Sequence, residues 1–403
     1  MAKLLSLAMT MISLVGVVTV RAADVAGRDV RPADEAFLRG FPFVDVFSTG
    51  ERYGYRIPAL VTTTKGTLLA FGERRIGLND HAQNDIVLKR SFDGGKTWGT
   101  EQVIADMGGD SLNDPCAVID GNTGRILLLF IRFPQGYHAR KSGHTEMAEL
   151  GYGGPRNTQS FLTWSDDDGA TWADLIDITR SLRRKDAISI GSPGRGIQLS
   201  RGKHKGRLLL PIYETIPSGN NQRYWRNCAA ISDDGGKSWR LGRRVPREDV
   251  KGHGNEAQLV ELADGSVMIN CRSQGGPLCR QVSVSRDGGE TWQSMREEPG
   301  LPTVPCMGSV LRCSWPEDGK SRILAAIPSP QGRKHGKVYV SFDEGKTWPV
   351  SKTLYPGGYA YSCLAVLPDG DIGCLFERDG YKTITLARFS LEWLTNATDR
   401  LGE

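Results

Sequence analysis

The sequence predicts an all-β fold, on three observations. One octapeptide is written five times: SFDGGKTW (Ser91 to Trp98), SDDDGATW (Ser165 to Trp172), SDDGGKSW (Ser232 to Trp239), SRDGGETW (Ser285 to Trp292) and SFDEGKTW (Ser341 to Trp348). From Phe41 to about residue 390, short apolar runs such as TLLAFGE, ILLLFIRF and SVMINCRS alternate with Gly, Asp and Asn turns. Helical period is weak, with Leu175 to Leu182 and Leu391 to Leu394 the only short candidates. The octapeptides start 74, 67, 53 and 56 residues apart, a period that marks an array of supersecondary units. Strands at this density predict a six-bladed β-propeller with four-stranded antiparallel blades, about 58 residues each over about 350 residues. Five octapeptides in six blades leave one blade with a degenerate turn.

The elements follow in order. Residues 1–22 read as a secretory signal peptide: Lys3 opens it, Leu4 to Val20 is apolar or small, and Val20-Arg21-Ala22-Ala23 offers a small-residue cleavage site. Ser6, Thr10, Ser13, Gly16 and Thr19 make the stretch a poor permanent span. The expectation is an exported chain, secreted or periplasmic, with no stable membrane insertion after signal removal. Residues 23–40 are polar and charged and read as an N-terminal arm. Residues 41–395 carry the propeller, with longer turn-rich insertions at 134–160 and 180–192. Residues 396–403 form a tail, in which Asn396-Ala397-Thr398 matches a glycosylation acceptor. There is no Pro/Ser/Thr-rich linker and no second composition regime, so no appended module is expected.

The octapeptide has the chemistry of a hairpin turn. Its Ser and Asp side chains bond nearby backbone N–H groups, and its fixed Gly takes a positive φ. Its Trp packs between neighbouring sheets while the indole N–H finds an acceptor. These aspartates therefore read as structural. The run Asp166-Asp167-Asp168 is not a calcium loop, because the remaining ligands of that motif are missing.

The formal charge is +5, and removal of Lys3 and Arg21 leaves +3. That is too small to imply nucleic acid. Eight cysteines in an exported chain permit disulfides, with Cys271/Cys279 and Cys306/Cys313 close enough to consider and isolated buried thiols the alternative. No C-x-x-C pair exists and the six histidines are scattered, so no zinc site is expected.

Octapeptide turns alone do not specify an activity; the segments between them do. Arg56-Ile57-Pro58 opens a strand, and FGERRIGLNDHAQNDIVLKRS follows at Phe71 to Ser91. Then come Gly254-Asn255-Glu256-Ala257-Gln258, Asn270-Cys271-Arg272-Ser273, Gly332-Arg333, Ala360-Tyr361-Ser362 and Leu375-Phe376-Glu377. With the octapeptides, this set resembles the exo-α-sialidase (neuraminidase) family of six-bladed glycosidases with Asp-box hairpins, also called BNR repeats. The resemblance runs from about Phe43 to Leu394.

It implies a set of roles. Arg56, Arg272 and Arg333 would hold the sialic acid carboxylate, for which a planar guanidinium fork is suited; Lys334 and Arg312 are the alternatives to Arg333. Arg75 would reach a ring hydroxyl or the carboxylate side of the pocket. Asp80, five residues after Arg75, would be the acid/base, with Asp85 its rival. Tyr361 would be the nucleophile and Glu256 the carboxylate that activates it. A neutral phenol suits an anomeric carbon that bears its own carboxylate, which would repel an anionic nucleophile. Glu377 would buttress the first arginine. Glu73, Asp114 and Glu214 are further acidic candidates for the mouth.

The implied activity is a retaining exo-sialidase acting on sialylated glycoconjugates, with no cofactor. Two alternatives stand: a non-catalytic Asp-box propeller that binds protein or glycan, and a hydrolase of a related nonulosonic acid.

Overall fold

The computed structural model describes residues 42–218 and 223–399. The expected signal peptide and arm, and residues 400–403 of the tail, lie outside the described residues. Those that are described form an all-β structure built of successive antiparallel meanders.

The first meander is Gly54–Thr62, Leu68–Arg75, Asn84–Ser91 and Gln102–Ala105. The second is Ser111–Ile119, Ile126–Phe133, Gln159–Ser165 and Ile176–Asp177. The third runs from Ile188–Gly191 through Leu208–Pro217 and Arg223–Ser232 to Arg240–Leu241. The fourth is His253–Glu261, Val267–Gln274, Cys279–Ser285 and Arg296–Pro302. Ser309–Ser314, Arg322–Ile327 and Lys334–Ser341 lead into Val350–Val366, a 17-residue strand that leaves one meander and opens the next. Ile372–Arg378 and Thr383–Phe389 follow, and Phe43–Ser48 pairs antiparallel with the latter.

That last pairing corrects the expected degenerate turn. The final meander takes its outer strand from the N-terminal side of the chain, so it has no hairpin in which an octapeptide could sit. After Phe389 the chain enters a short α-helix, Leu391–Thr395, capped by Ser390. The other helical candidate, Leu175 to Leu182, is instead the strand Ile176–Asp177 followed by turns. No helix among the described residues is long and apolar enough to cross a membrane.

The octapeptides are hairpin turns, each between the last two strands of a meander. In Ser165 to Trp172, Ser165 Oγ accepts from Gly169 N (2.9 Å) and donates to Asp167 (2.8 Å), while Asp167 accepts from Thr171 N (2.8 Å) and Thr171 Oγ1 (2.5 Å). The fixed glycine has positive φ, 88° at Gly95 and 86° at Gly236. It also lies hard against the preceding meander: a Cβ would come within 2.2 Å of Leu386 at Gly95 and 2.4 Å of Leu127 at Gly236. The tryptophans use the same seam. Trp172 stands edge-on to Phe71 (5.7 Å between centroids). Trp239 packs with Leu127 and Leu129, Trp292 with Leu209 and Ala229, and Trp98 with Leu375 and Ile384 of the last meander.

One expectation fails here, and of the two readings left open for the cysteines the isolated thiols hold. Only the Trp239 indole N–H has its acceptor, Gly236 O at 3.0 Å; those of Trp98, Trp172, Trp292 and Trp348 are buried without one. All eight cysteines are free thiols. Cys271 faces Gln281 across its ladder rather than Cys279, and Cys306 and Cys313 pack in different apolar clusters.

Candidate active site

Four inner strands break register at the same depth. One extra residue is inserted between Arg56 and Ala59, between Asn113 and Cys116, between Gly254 and Ala257, and between Tyr359 and Ser362. Such bulges bend a strand and re-aim its side chains. Two of them contain proline, Pro58 and Pro115, which has no N–H to lose from the ladder. The residues ahead of these prolines, Ile57 (φ 62°) and Asp114 (φ 58°), are in the left-handed region. For β-branched Ile57 this conformation costs about 1–3 kcal/mol. Its N–H is held by Glu377 Oε1 at 2.9 Å.

The bulges surround a cavity of about 350 Å³, lined among others by Arg56, Arg75, Asp80, Glu256, Arg272, Arg333 and Tyr361. These seven were each singled out from the sequence. Glu377, the eighth, lies behind the wall. Its carboxylate grips Arg56 through Nε (3.0 Å) and Nη2 (3.3 Å), and also accepts from Tyr361 N (3.1 Å). One carboxylate thus fixes Arg56 and two bulges.

Tyr361 lies within the long strand Val350–Val366. Its hydroxyl donates to Glu256 Oε1 and accepts from Arg272 Nη1 (3.0 Å). Arg272 Nη1 also donates to Glu256 Oε2 (2.8 Å), and its other two nitrogens hold Gln274 Oε1. The guanidinium carbons of Arg56 and Arg333 stand 5.2 and 5.3 Å from the Tyr361 ring centroid. Burial, then the Glu256 carboxylate, push the phenol well above its ordinary pKa, against the pull of Arg272, Arg333 and Arg56.

Asp80 sits on the loop between the second and third strands of the first meander. Its backbone oxygen accepts from Ser111 Oγ (3.0 Å), Asn113 Nδ2 (3.0 Å) and Asn84 Nδ2 (3.3 Å). Its side chain remains 39% exposed and accepts from Arg75 Nη1 (2.9 Å) and Arg56 Nη1 (3.2 Å). Burial pushes its pKa up, but Arg75 and Arg56 more than offset this and hold it well below the usual carboxylate range.

The rival assignments separate. Asp85 turns away to Arg74 (2.7 Å). Arg312 lines a different cavity and is tied to Glu344. Lys334 is exposed at the start of its strand, while Arg333 donates to Tyr381 Oη (2.9 Å). Glu73 lies behind Arg75 and accepts from its Nε (2.7 Å). Glu214 is buried against Arg244 (2.7 Å) and does not line the cavity. Asp114 does, accepting from Tyr213 Oη (2.8 Å). Burial and the Glu73 and Glu256 carboxylates push Asp114 well above its ordinary value.

Sequence reasoning missed Tyr213, Trp225, His138 and Arg140 in the lining, and Tyr381 behind Arg333. His138 and Arg140 belong to the 134–160 insertion, and burial pushes His138 down to about 4. Asp114-Pro115 echoes Ile57-Pro58, a signal that could have placed Asp114 beforehand. No cluster of metal-ligating side chains occurs among the described residues.

A model of the BNR repeat-like domain matches residues 66–374. The chain is 34% identical to a sialidase of Micromonospora viridifaciens, over 84% of this chain and 52% of that one. It is 31% identical to sialidase-3 of Mus musculus, over 86% and 93%. The structure resembles that of the Hadza microbial sialidase Hz136, with a TM-score of 0.71 and 26% identity over 85% of this chain and 66% of that one. The chain therefore spans about half the length of the Micromonospora relative. With the domain model matching most of its length and a relative matched over nearly all of its own, this chain belongs to the sialidase family.

Proposed function

We propose that this chain is an exported exo-sialidase that releases terminal α-linked sialic acid from glycoconjugates with retention of anomeric configuration. The meanders would be the six blades of one propeller spanning about residues 41–395, with the catalytic cavity at one end of its axis. The observation that carries the reading is the Tyr361 hydroxyl between the Glu256 carboxylate and the Arg272 guanidinium.

The substrate carboxylate would enter among Arg56, Arg272 and Arg333. At Arg56 it would replace Asp80 as the acceptor. Losing that cation raises the Asp80 pKa and favours the protonated form a general acid needs. The Tyr361 oxygen then attacks the anomeric carbon as the glycosidic C–O bond breaks. Glu256 takes the phenolic proton, and Asp80 gives its proton to the leaving oxygen. In the second half, Asp80 deprotonates a water that attacks the same carbon. The C–O bond to Tyr361 breaks, and Glu256 returns the proton. Two inversions give net retention.

The test is proton NMR of the first product released from an aryl sialoside, before mutarotation, beside trapping with a sugar fluorinated next to the anomeric carbon. The expected result is the α-anomer and a label on Tyr361. The β-anomer, or a label on another residue, overturns the mechanism. No release from the sialoside, with release from its deaminated analogue, would shift the substrate to a related nonulosonic acid.

A further inference from the structure

The same inner strands that line the catalytic cavity line a second one further along. Where Ile57, Asp114, Glu256 and Tyr361 face the first, Leu60, Val118, Val260 and Ala365 face the second, about four residues or roughly 13 Å on. Its volume is about 380 Å³.

Most polar groups in its wall are already engaged. Arg312 holds Glu344 (3.1 Å) and the Glu261 carbonyl (2.9 Å). The Glu261 carboxylate accepts from Ser200 N (2.8 Å), Ser200 Oγ (2.7 Å) and Arg201 N (2.9 Å). The Gln198 amide nitrogen holds Asp120 at 2.7 Å.

Arg195 differs from all of these. Among the described residues its side chain makes no hydrogen bond and no ion pair, and its Nε is sealed from solvent with no partner. It lies on Gly194–Arg195, which runs parallel to Ser111–Ile119. Its backbone is pinned: a Cβ on Gly196, the next residue, would meet Leu209 O at 2.4 Å. Burial pulls the guanidinium pKa down, with the Cys363 thiol the other group that bears on it. The residue is half-buried: Nε is sealed, while the two Nη groups have no protein partner and remain open, so an anion in the cavity would replace water there without displacing a protein acceptor. The apolar Val118, Val260 and Leu311 side chains line the same cavity and lower the local dielectric, which strengthens any such pairing.

We propose that this second cavity is a binding site for a small inorganic oxyanion, of the phosphate or sulfate class, held by the planar fork of Arg195. Two parallel N–H donors match a pair of oxyanion oxygens, a geometry a spherical halide does not use. The site is separate from the catalytic cavity, so its occupancy would stabilise the fold rather than take part in turnover.

The test is calorimetric titration with sodium phosphate and with sodium sulfate at constant ionic strength set by chloride. The proteins are the wild-type chain, Arg195→Met and Arg195→Lys, with aryl sialoside release as the folding control. The expected result is one equivalent of oxyanion lost in Arg195→Met, at least tenfold weaker binding in Arg195→Lys, and release unchanged in both. An anion held in the catalytic cavity would persist in Arg195→Met, so the equivalent lost is the readout. Equal stoichiometry and affinity in wild type and Arg195→Met overturn the proposal. So does chloride binding there as tightly as either oxyanion. Should Arg195→Met fail to fold, selenate located by anomalous scattering in wild-type crystals decides. Density against Arg195 supports the site, and a cavity without it refutes the site.

Discussion

The aspartates at the third position of the octapeptide turns and Asp80 in the cavity are all held below the usual carboxylate range, by different means. Asp93 and Asp167 are exposed, and what lowers them first is the hydroxyl of a threonine four residues on, followed by its backbone N–H. Asp80 is driven up by burial and brought down by the full charges of Arg75 and Arg56. Neutral donors in a closed turn are permanent while the fold lasts. Arginine charges facing a cavity are open to another anion. The same lowered pKa therefore fixes a turn in one place and sets up a switchable acid in the other.

The largest effect that would break this contrast lies at Tyr361. Tyr361→Phe removes the oxygen between Glu256 and Arg272 and keeps the ring beneath Arg56 and Arg333. Turnover is expected to fall on the order of 10³-fold or more, with an unchanged melting temperature. Arg272→Lys comes next. It keeps the charge but cannot hold Gln274, Glu256 and Tyr361 together. Losing charged hydrogen bonds of this kind is expected to cost about 2–3 kcal/mol, roughly 30–150-fold in kcat/KM. Steady-state kinetics that match wild type would remove either residue from the reaction.

Asp80→Ala sharpens the contrast further. A lactose-type leaving group needs a proton, while an activated aryl group needs little, so the two substrates should separate by about 10²-fold or more. An equal loss for both would mean that Asp80 is not the proton donor. Asp85, already committed to Arg74, would then lack the position to replace it.

The turns and most of the cavity were legible for the same reason: each is written in a short contiguous motif. Arg56-Ile57-Pro58, Gly254 to Gln258 and Ala360 to Ser362 also mark three of the four bulges, because a bulge needs particular residues in a row. What stayed hidden is assembled across the chain. Tyr213, Trp225 and His138 are single residues from separate strands and an insertion, with no local pattern of their own. The outer strand Phe43–Ser48 reads like any edge strand, and nothing local says that it pairs with Thr383–Phe389. The cysteine count was even, yet pairing depends on which residues meet across the fold, and here all eight remain free thiols.

The smallest expected effect is at a turn. Asp167→Ala removes the acceptor of Thr171 N and Oγ1 and the partner of Ser165 Oγ. Thermal or urea unfolding at neutral pH should show a loss of about 1 kcal/mol, the worth of a typical local cap or turn bond. Release from a sialoside should not change, since this turn does not line the catalytic cavity. The loss should also depend on pH in one direction. The folded Asp167 pKa lies at about 2, below the roughly 3.9 of an unfolded aspartate. A depressed folded pKa means that the charged form stabilises the fold. That stability is present above pH about 4 and is lost as the pH falls toward 2. The gap between wild type and Asp167→Ala should therefore narrow across that window. A gap constant from pH 5 to pH 2 would mean that the carboxylate charge does not hold the turn, and the contrast with Asp80 would then rest on the cavity alone.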